Sequence, residues 1–139
     1  MVADALIKGG KFDEITRLTR EAVTKMLGFE LAHIGINAEN GESAMSVAAM
    51  FATMFGFVIK DGNSSVFAGT GVEVNKSVGY GKHGHIAIRT NNIARAVAYL
   101  KRNGVAINDE SAKFKPDGAM IAIYLKEEFG GFAVHLLQA

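Results

Sequence analysis

Four side chains in this sequence carry the chemistry of metal ligands: His33, Glu73, His85 and His135. Three imidazoles and one carboxylate suit zinc, nickel, cobalt, manganese or ferrous iron. The chain has no cysteine, so disulfides and thiolate ligands are excluded, and any metal must rest on nitrogen and oxygen. Taken singly, each residue has a blander reading. A lone strand histidine is more often hydrogen-bonded or at the surface, and Glu73 alone reads as the solvated face of an antiparallel strand. What decides between these readings is whether the surrounding elements turn the four toward one point.

The stretch Lys82-His83-Gly84-His85-Ile86-Ala87-Ile88-Arg89 reads as a strand. Ile86 and Ile88 lie on one side; His83, His85, Ala87 and Arg89 lie on the other. Ala32-His33-Ile34-Gly35-Ile36-Asn37 repeats the pattern earlier in the chain. Each copy precedes a helix. The first, over 42–54, is capped by Asn40 or Gly41, is apolar nearly all round and stops at Gly56; strands over 57–60, 65–68 and 72–76 follow. The second is capped by Asn91 or Asn92, buries Ile93, Ala96, Val97 and Leu100, and stops at Asn103-Gly104. Strands over 105–108, 119–125 and 132–137 follow it, with a long connection that turns at Lys115-Pro116-Asp117-Gly118. The halves align: His33 with His85, Asn40 with Asn92, and Val72-Glu73-Val74 with Val134-His135-Leu136. This is a duplicated β-α-β-β-β unit of α+β class.

Strand alternation then orients the candidates. If Ile34, Ile36, Val72, Val74, Val134 and Leu136 face the helices, the opposite face carries His33, Glu73, His85 and His135. A curled sheet would bring the four into one cup. His83 shares that face near its edge and reads as a rim residue, an alternative ligand or a support for His85. Arg89, Asn37 and Asn75 lie on the same face, where they could bind an anionic substrate or serve as ordinary edge residues.

Residues 1–29 stand apart from the repeat over 30–139. Behind a Gly9-Gly10 break, Phe12, Ile15, Leu18, Ala22 and Met26 recur at helical spacing. That apolar face needs a partner: the rest of the domain, a second copy or a larger protein. The whole chain has 139 residues, 49% of them apolar, with 15 basic and 14 acidic side chains. This is enough for one core, and it lacks the basic stripe of a nucleic-acid surface. There is no spanning apolar run and no secretory leader, so a soluble cytoplasmic protein is expected.

The paired modules, Gly84-His85-Ile86-Ala87-Ile88 and Gly131-Phe132-Ala133-Val134-His135-Leu136 resemble the vicinal oxygen chelate superfamily. Glyoxalase I, methylmalonyl-CoA epimerase, extradiol dioxygenases and fosfomycin-resistance proteins belong to it. The resemblance spans about 30–138 and implies a curled mixed sheet, a divalent ion and frequent dimerisation. His33, Glu73, His85 and His135 match the four ligand positions of glyoxalase-type members. The last of these is usually a glutamate, so His135 is a departure, and Glu73 is left as the only carboxylate among the four.

The opening segment, Ala5-Leu6-Ile7-Lys8-Gly9-Gly10-Lys11-Phe12-Asp13-Glu14-Ile15-Thr16 through Glu21-Ala22, is similar to the closing helix of keto-hydroxyglutarate and keto-deoxy-phosphogluconate aldolases. Some bacterial versions carry a glyoxalase-like extension, and the chain resembles that extension. The resemblance implies an aldolase barrel as partner in the full-length context. It assigns no Schiff-base lysine here, and this chain alone is expected to have no aldolase activity. Three functions follow as expectations. One is an enzyme that stabilises an enediolate of a small dicarbonyl or 2-oxo acid, with Glu73 as base. The second is a metabolite-binding module without turnover, and the third is a dimerisation domain.

Overall fold

The computed structural model describes residues 4–139. Two helices, α1 (Asp4–Lys8) and α2 (Phe12–Leu27), precede the first module: β1 (Glu30–Asn37), α3 (Gly41–Phe55), β2 (Ile59–Asp61), β3 (Ser65–Ala68) and β4 (Val72–Asn75). The second module is β5 (Gly84–Thr90), α4 (Ile93–Arg102), β6 (Ile107–Phe114), β7 (Met120–Phe129) and β8 (Phe132–Gln138). The eight strands form one mixed sheet in the order β2-β3-β4-β1-β5-β8-β7-β6. The α+β class and the paired β-α-β-β-β modules expected from the sequence are both present.

The order has a local symmetry. Within each module the first strand pairs in parallel with the last, β1 with β4 and β5 with β8, and the two first strands pair antiparallel at the centre. Each module has its own apolar core between its helix and its half of the sheet. Ala44 and Ala48 of α3 bury against Val66, Ala68 and Val74, while Ile93 and Ala96 of α4 bury with Ile107, Ile123 and Leu136. The small alanines let α3 lie close to the sheet. Both helix starts follow the capping rule: Asn40 accepts from Ser43 N and Asn92 from Arg95 N, each at 2.9 Å.

Three elements differ from the sequence reading. The second strand of module two, β6, runs through Phe114, where a connection was expected. Its Asp109-Glu110-Ser111 stretch has no apolar alternation because the pairing with β7 shifts register there. Ser111 spans the irregularity: its hydroxyl donates to Asn108 O at 2.6 Å and accepts from Tyr124 N at 2.8 Å. β7 continues through the charged Lys126-Glu127-Glu128 to Phe129, because it forms a hairpin with β8 that projects into solvent. The strand expected over 57–60 is confined to Ile59–Asp61.

The N-terminal helix forms behind its glycine break, but its docking surface is not the expected stripe. Val23 and Leu27 pack into the second module's core, whereas Phe12, Leu18 and Met26 are exposed. The helix end is fixed in rotation by the β5–α4 junction. Thr90 Oγ1 and Asn91 N both donate to Leu27 O, and Asn91 Nδ2 donates to Met26 O. Among the described residues, no helix is long and apolar enough to cross a membrane.

Candidate metal centre

The face of the sheet opposite α3 and α4 lines a cavity of about 670 Å³. His33, Glu73, His85 and His135 all reach into it. His33 Nε2 lies 2.9 Å from Glu73 Oε2, and His85 Nε2 lies 3.2 Å from the same oxygen. The two imidazole nitrogens are 3.1 Å apart. The three histidines each offer a ring nitrogen within 4.8 Å of the others.

Register explains the convergence. Gly35 lies between Glu73 and His85 across the central strands, and Ala87 lies between His33 and His135. Ligand-type side chains therefore alternate with the smallest residues in both directions, which leaves room for four large groups to lean together. Gly35 is required by this approach. A Cβ there would fall against Cε1, Nδ1 and Nε2 of His85. The local two-fold relates His33 to His85 and Glu73 to His135, so one duplicated pattern supplies both pairs.

Electrostatics favour ligand-ready protonation states. Burial pushes the Glu73 carboxyl up. Hydrogen bonds from His33, His85 and Ser65 outweigh it and hold the group well below the usual carboxylate range. Burial, reinforced by the charges of His85 and His33, pulls His135 down to about 3, so its ring is neutral at pH 7. Burial and the nearby Glu73 charge push Tyr124 up to about 12, which keeps its hydroxyl protonated.

Two observations test whether a cation fits. His135 is 6% exposed, and both of its ring nitrogens are buried without a hydrogen-bond partner. Each such group costs about 1–3 kcal/mol. In addition, protons can satisfy at most two sides of the His33–His85–Glu73 triangle, because two N–H groups donating to Oε2 leave a repulsive contact between them. An ion with bonds of about 2.0–2.2 Å separates its ligands by roughly 2.9–3.5 Å, close to the spacings seen. The residues fit a divalent cation.

The remaining candidates divide. Arg89 and Asn75 line the cavity. Asn37 does not; its amide donates to Gly81 O and its carbonyl oxygen accepts from Asn75 Nδ2 and Gly79 N, tying down the β4–β5 loop. His83 is a correction. It is exposed, its ring rests near Phe132 at a centroid distance of 5.7 Å, and it does not line the cavity. Gly84 has φ of +136°, which interrupts the alternation that would have put His83 and His85 on one face.

Sequence reasoning passed over three groups. Ser65 donates to Glu73 Oε1 at 2.6 Å. Tyr124 stacks on His135 with centroids 4.6 Å apart, and Tyr80, from the loop held by Asn37, packs on Tyr124 at 4.5 Å. Carrying the alternation through β3 and β7 would have found Ser65 and Tyr124. Ser65→Ala removes the donor that orients Glu73. It should weaken divalent-metal affinity by about 10-fold with the metal-free fold unchanged by circular dichroism; equal affinity in competition with a chelating dye would contradict this role.

No family model and no curated protein matches the sequence. Solved structures do match the fold. The hypothetical protein BH1468 from Bacillus halodurans superposes with a TM-score of 0.57 at 17% identity, over 81% of this chain and 95% of that one. A Streptomyces coelicolor methylmalonyl-CoA epimerase in complex with 2-nitronate-propionyl-CoA gives 0.55 at 13% identity, covering 78% and 96%. The methylmalonyl-CoA epimerase from Mycobacterium tuberculosis gives 0.53 at 14% identity, covering 81% and 89%. At such identities the likeness speaks to architecture alone: the chain has the paired-module fold of the glyoxalase, or vicinal oxygen chelate, type.

Proposed function

We propose that this chain is a divalent-metal-binding glyoxalase-like domain that acts on a small dicarbonyl or 2-oxo acid. The observation that carries the reading is the Glu73–His33–His85 triangle facing a buried His135 with two unpartnered nitrogens. His33, Glu73, His85 and His135 would hold zinc, nickel, cobalt, manganese or iron. The ion, when bound, supplies Lewis-acid polarisation of two neighbouring substrate oxygens. Glu73 is the candidate base for the carbon-bound proton, and it is already ionised. Donation from both histidines to Oε2 keeps it a weak base. With His33 and His85 holding the ion through Nε2, their protons would sit on Nδ1 and that donation would be absent. Arg89 and Asn75 line the cavity where an anionic substrate would be oriented. Asn37 contributes by fixing the loop that carries Tyr80.

Metal analysis of protein purified without chelator tests the reading. We expect about one equivalent per chain. Metal at 100-fold excess over Kd stabilises by about 2.7 kcal/mol, a rise in melting temperature of roughly 10 °C for a chain this size. Less than about half an equivalent, with no metal-dependent rise, would sink it. A dicarbonyl screen of the loaded protein then separates turnover from binding.

A second reading, a non-catalytic binding or dimerisation domain, has its own support. Met50, Met54, Phe55, Phe57 and Val58 are exposed at the end of α3 and beside the edge strand β2, a surface suited to a homodimer. The resemblance of 5–22 to an aldolase's closing helix supports the further reading that residues 1–29 join the domain over 30–139 to an aldolase barrel in the cytoplasm. The exposed Ile7, Phe12 and Leu18 are consistent with a covering partner there.

A further inference from the structure

One row of the cup face lies beyond the ligand rows. Across the strands, Arg89 pairs with Leu137, Leu137 with Ala122, and Ala122 with Lys113. All four line the cavity that holds the histidines. The two cations therefore flank an apolar floor made by Leu137 and Ala122. The neighbouring row, two residues back along each central strand, contains Ala87, His135 and Tyr124. Two residues of strand separate the rows by about 6.6 Å.

Arg89 has one long, solvent-facing ion pair, and among the described residues Lys113 has none. The carboxylate nearest Arg89 is Glu30, 3.8 Å away and mostly exposed. Among the described residues neither Arg89 nor Lys113 makes a side-chain hydrogen bond to the protein, and Lys113 has no ion pair. Among the described residues, Glu73 is the only acidic one lining the cavity, and it sits with the histidines. Leaving the imidazoles aside, the lining carries two positive charges against one negative, and a divalent ion would make the excess larger. Such a cavity concentrates anions, and its charge is split between two poles.

We propose that Arg89 and Lys113 form an anion subsite for the far end of the substrate. The substrate class is then a short 2-oxo or 2-hydroxy acid with a second anionic group, carboxylate or phosphate, about five bonds from its chelating oxygens. The inference rests on the metal reading for the near end only. Lys113 was hidden in the sequence because it falls in a segment that looks like a connection. A guanidinium fork and a mobile ammonium together suit a group that carries more than one oxygen.

The test compares 2-oxoglutarate with 2-oxopentanoate, which has the same length and no distal charge, and with 2-oxo-4-phosphonobutyrate. Binding is measured by calorimetry on zinc-loaded wild type, Arg89→Met, Lys113→Met and the double variant. Wild type should prefer the distal anions over 2-oxopentanoate by about 10- to 100-fold. The stronger of the two anionic probes tells carboxylate from phosphate. The preference should fall below about 3-fold in the double variant, while zinc stoichiometry stays at the wild-type value. Equal binding of 2-oxoglutarate and 2-oxopentanoate to loaded wild type, or a preference that survives the double substitution, overturns the subsite and leaves the metal reading standing. A parallel series in chelator compares glutarate with pentanoate. If zinc fails to load but this metal-free preference is present and lost in the double variant, the subsite stands and the metal reading falls. If that preference is absent as well, both fall.

Discussion

Gly35→Ala is expected to abolish metal binding while leaving the sheet folded. Gly35 occupies the cup face between Glu73 and His85. The added methyl would occupy the volume of the His85 ring itself. The ring cannot step aside easily, because it is 5% exposed and boxed in by His33, His135 and Tyr124. Relief requires a different His85 rotamer, and that moves Nε2 away from the common point. Backbone pairing is untouched, and alanine removes the entropic weakness of glycine in a strand. Affinity for zinc should therefore fall at least about 100-fold, more than a supporting residue alone would cost, with an unchanged far-ultraviolet spectrum. Gly71→Ala is the control, since a Cβ there meets nothing within 4 Å. Full metal loading of the Gly35 variant would show that His85 is not held where the cluster needs it.

The repeat is what made the site legible. Alternation on four strands orients His33, Glu73, His85 and His135 without any knowledge of the sheet's curvature. The duplicated pattern then matches His33 to His85 and Glu73 to His135, as the local two-fold does. The reading failed where alternation is reset by backbone irregularity. Gly84 turns His83 out of the face, and the shifted register near Ser111 disguises β6 as a loop, taking Lys113 with it. Asn37 sits on the expected face, yet its amide is consumed by a loop that strand patterning cannot place. In α2, the apolar stripe called for a partner, but hydrogen bonds from Thr90 and Asn91 select the Val23–Leu27 edge for docking instead. Long-range hydrogen bonding, unlike periodicity, leaves no local signature.

His135→Leu should stabilise the metal-free protein and impair metal binding in the same substitution. The imidazole is buried with two unsatisfied nitrogens, whereas leucine has similar volume and no polar atom to desolvate. At neutral pH the gain for the two nitrogens together is about 2–6 kcal/mol, read by urea unfolding in chelator. Acid adds to it. An unfolded chain protonates this histidine near 6.5, but the folded one resists until about 3. Between those values the unfolded state binds more protons, so stability falls as pH is lowered through the window. Each pKa unit carries about 1.4 kcal/mol, so the wild type should lose several kcal/mol more than the leucine variant by pH 4. Glu73 acts in the same direction at lower pH. Its folded value lies below the ordinary 4.5, so the stability it contributes is present above that value and is lost as the carboxylate is titrated. That loss remains in both proteins, which confines the difference between them to the histidine window. With zinc present the order reverses, because only the wild type keeps all four ligands. A leucine variant less stable than wild type in chelator would mean that the lone histidine is already satisfied, and the strongest argument for a cation at this point would be gone.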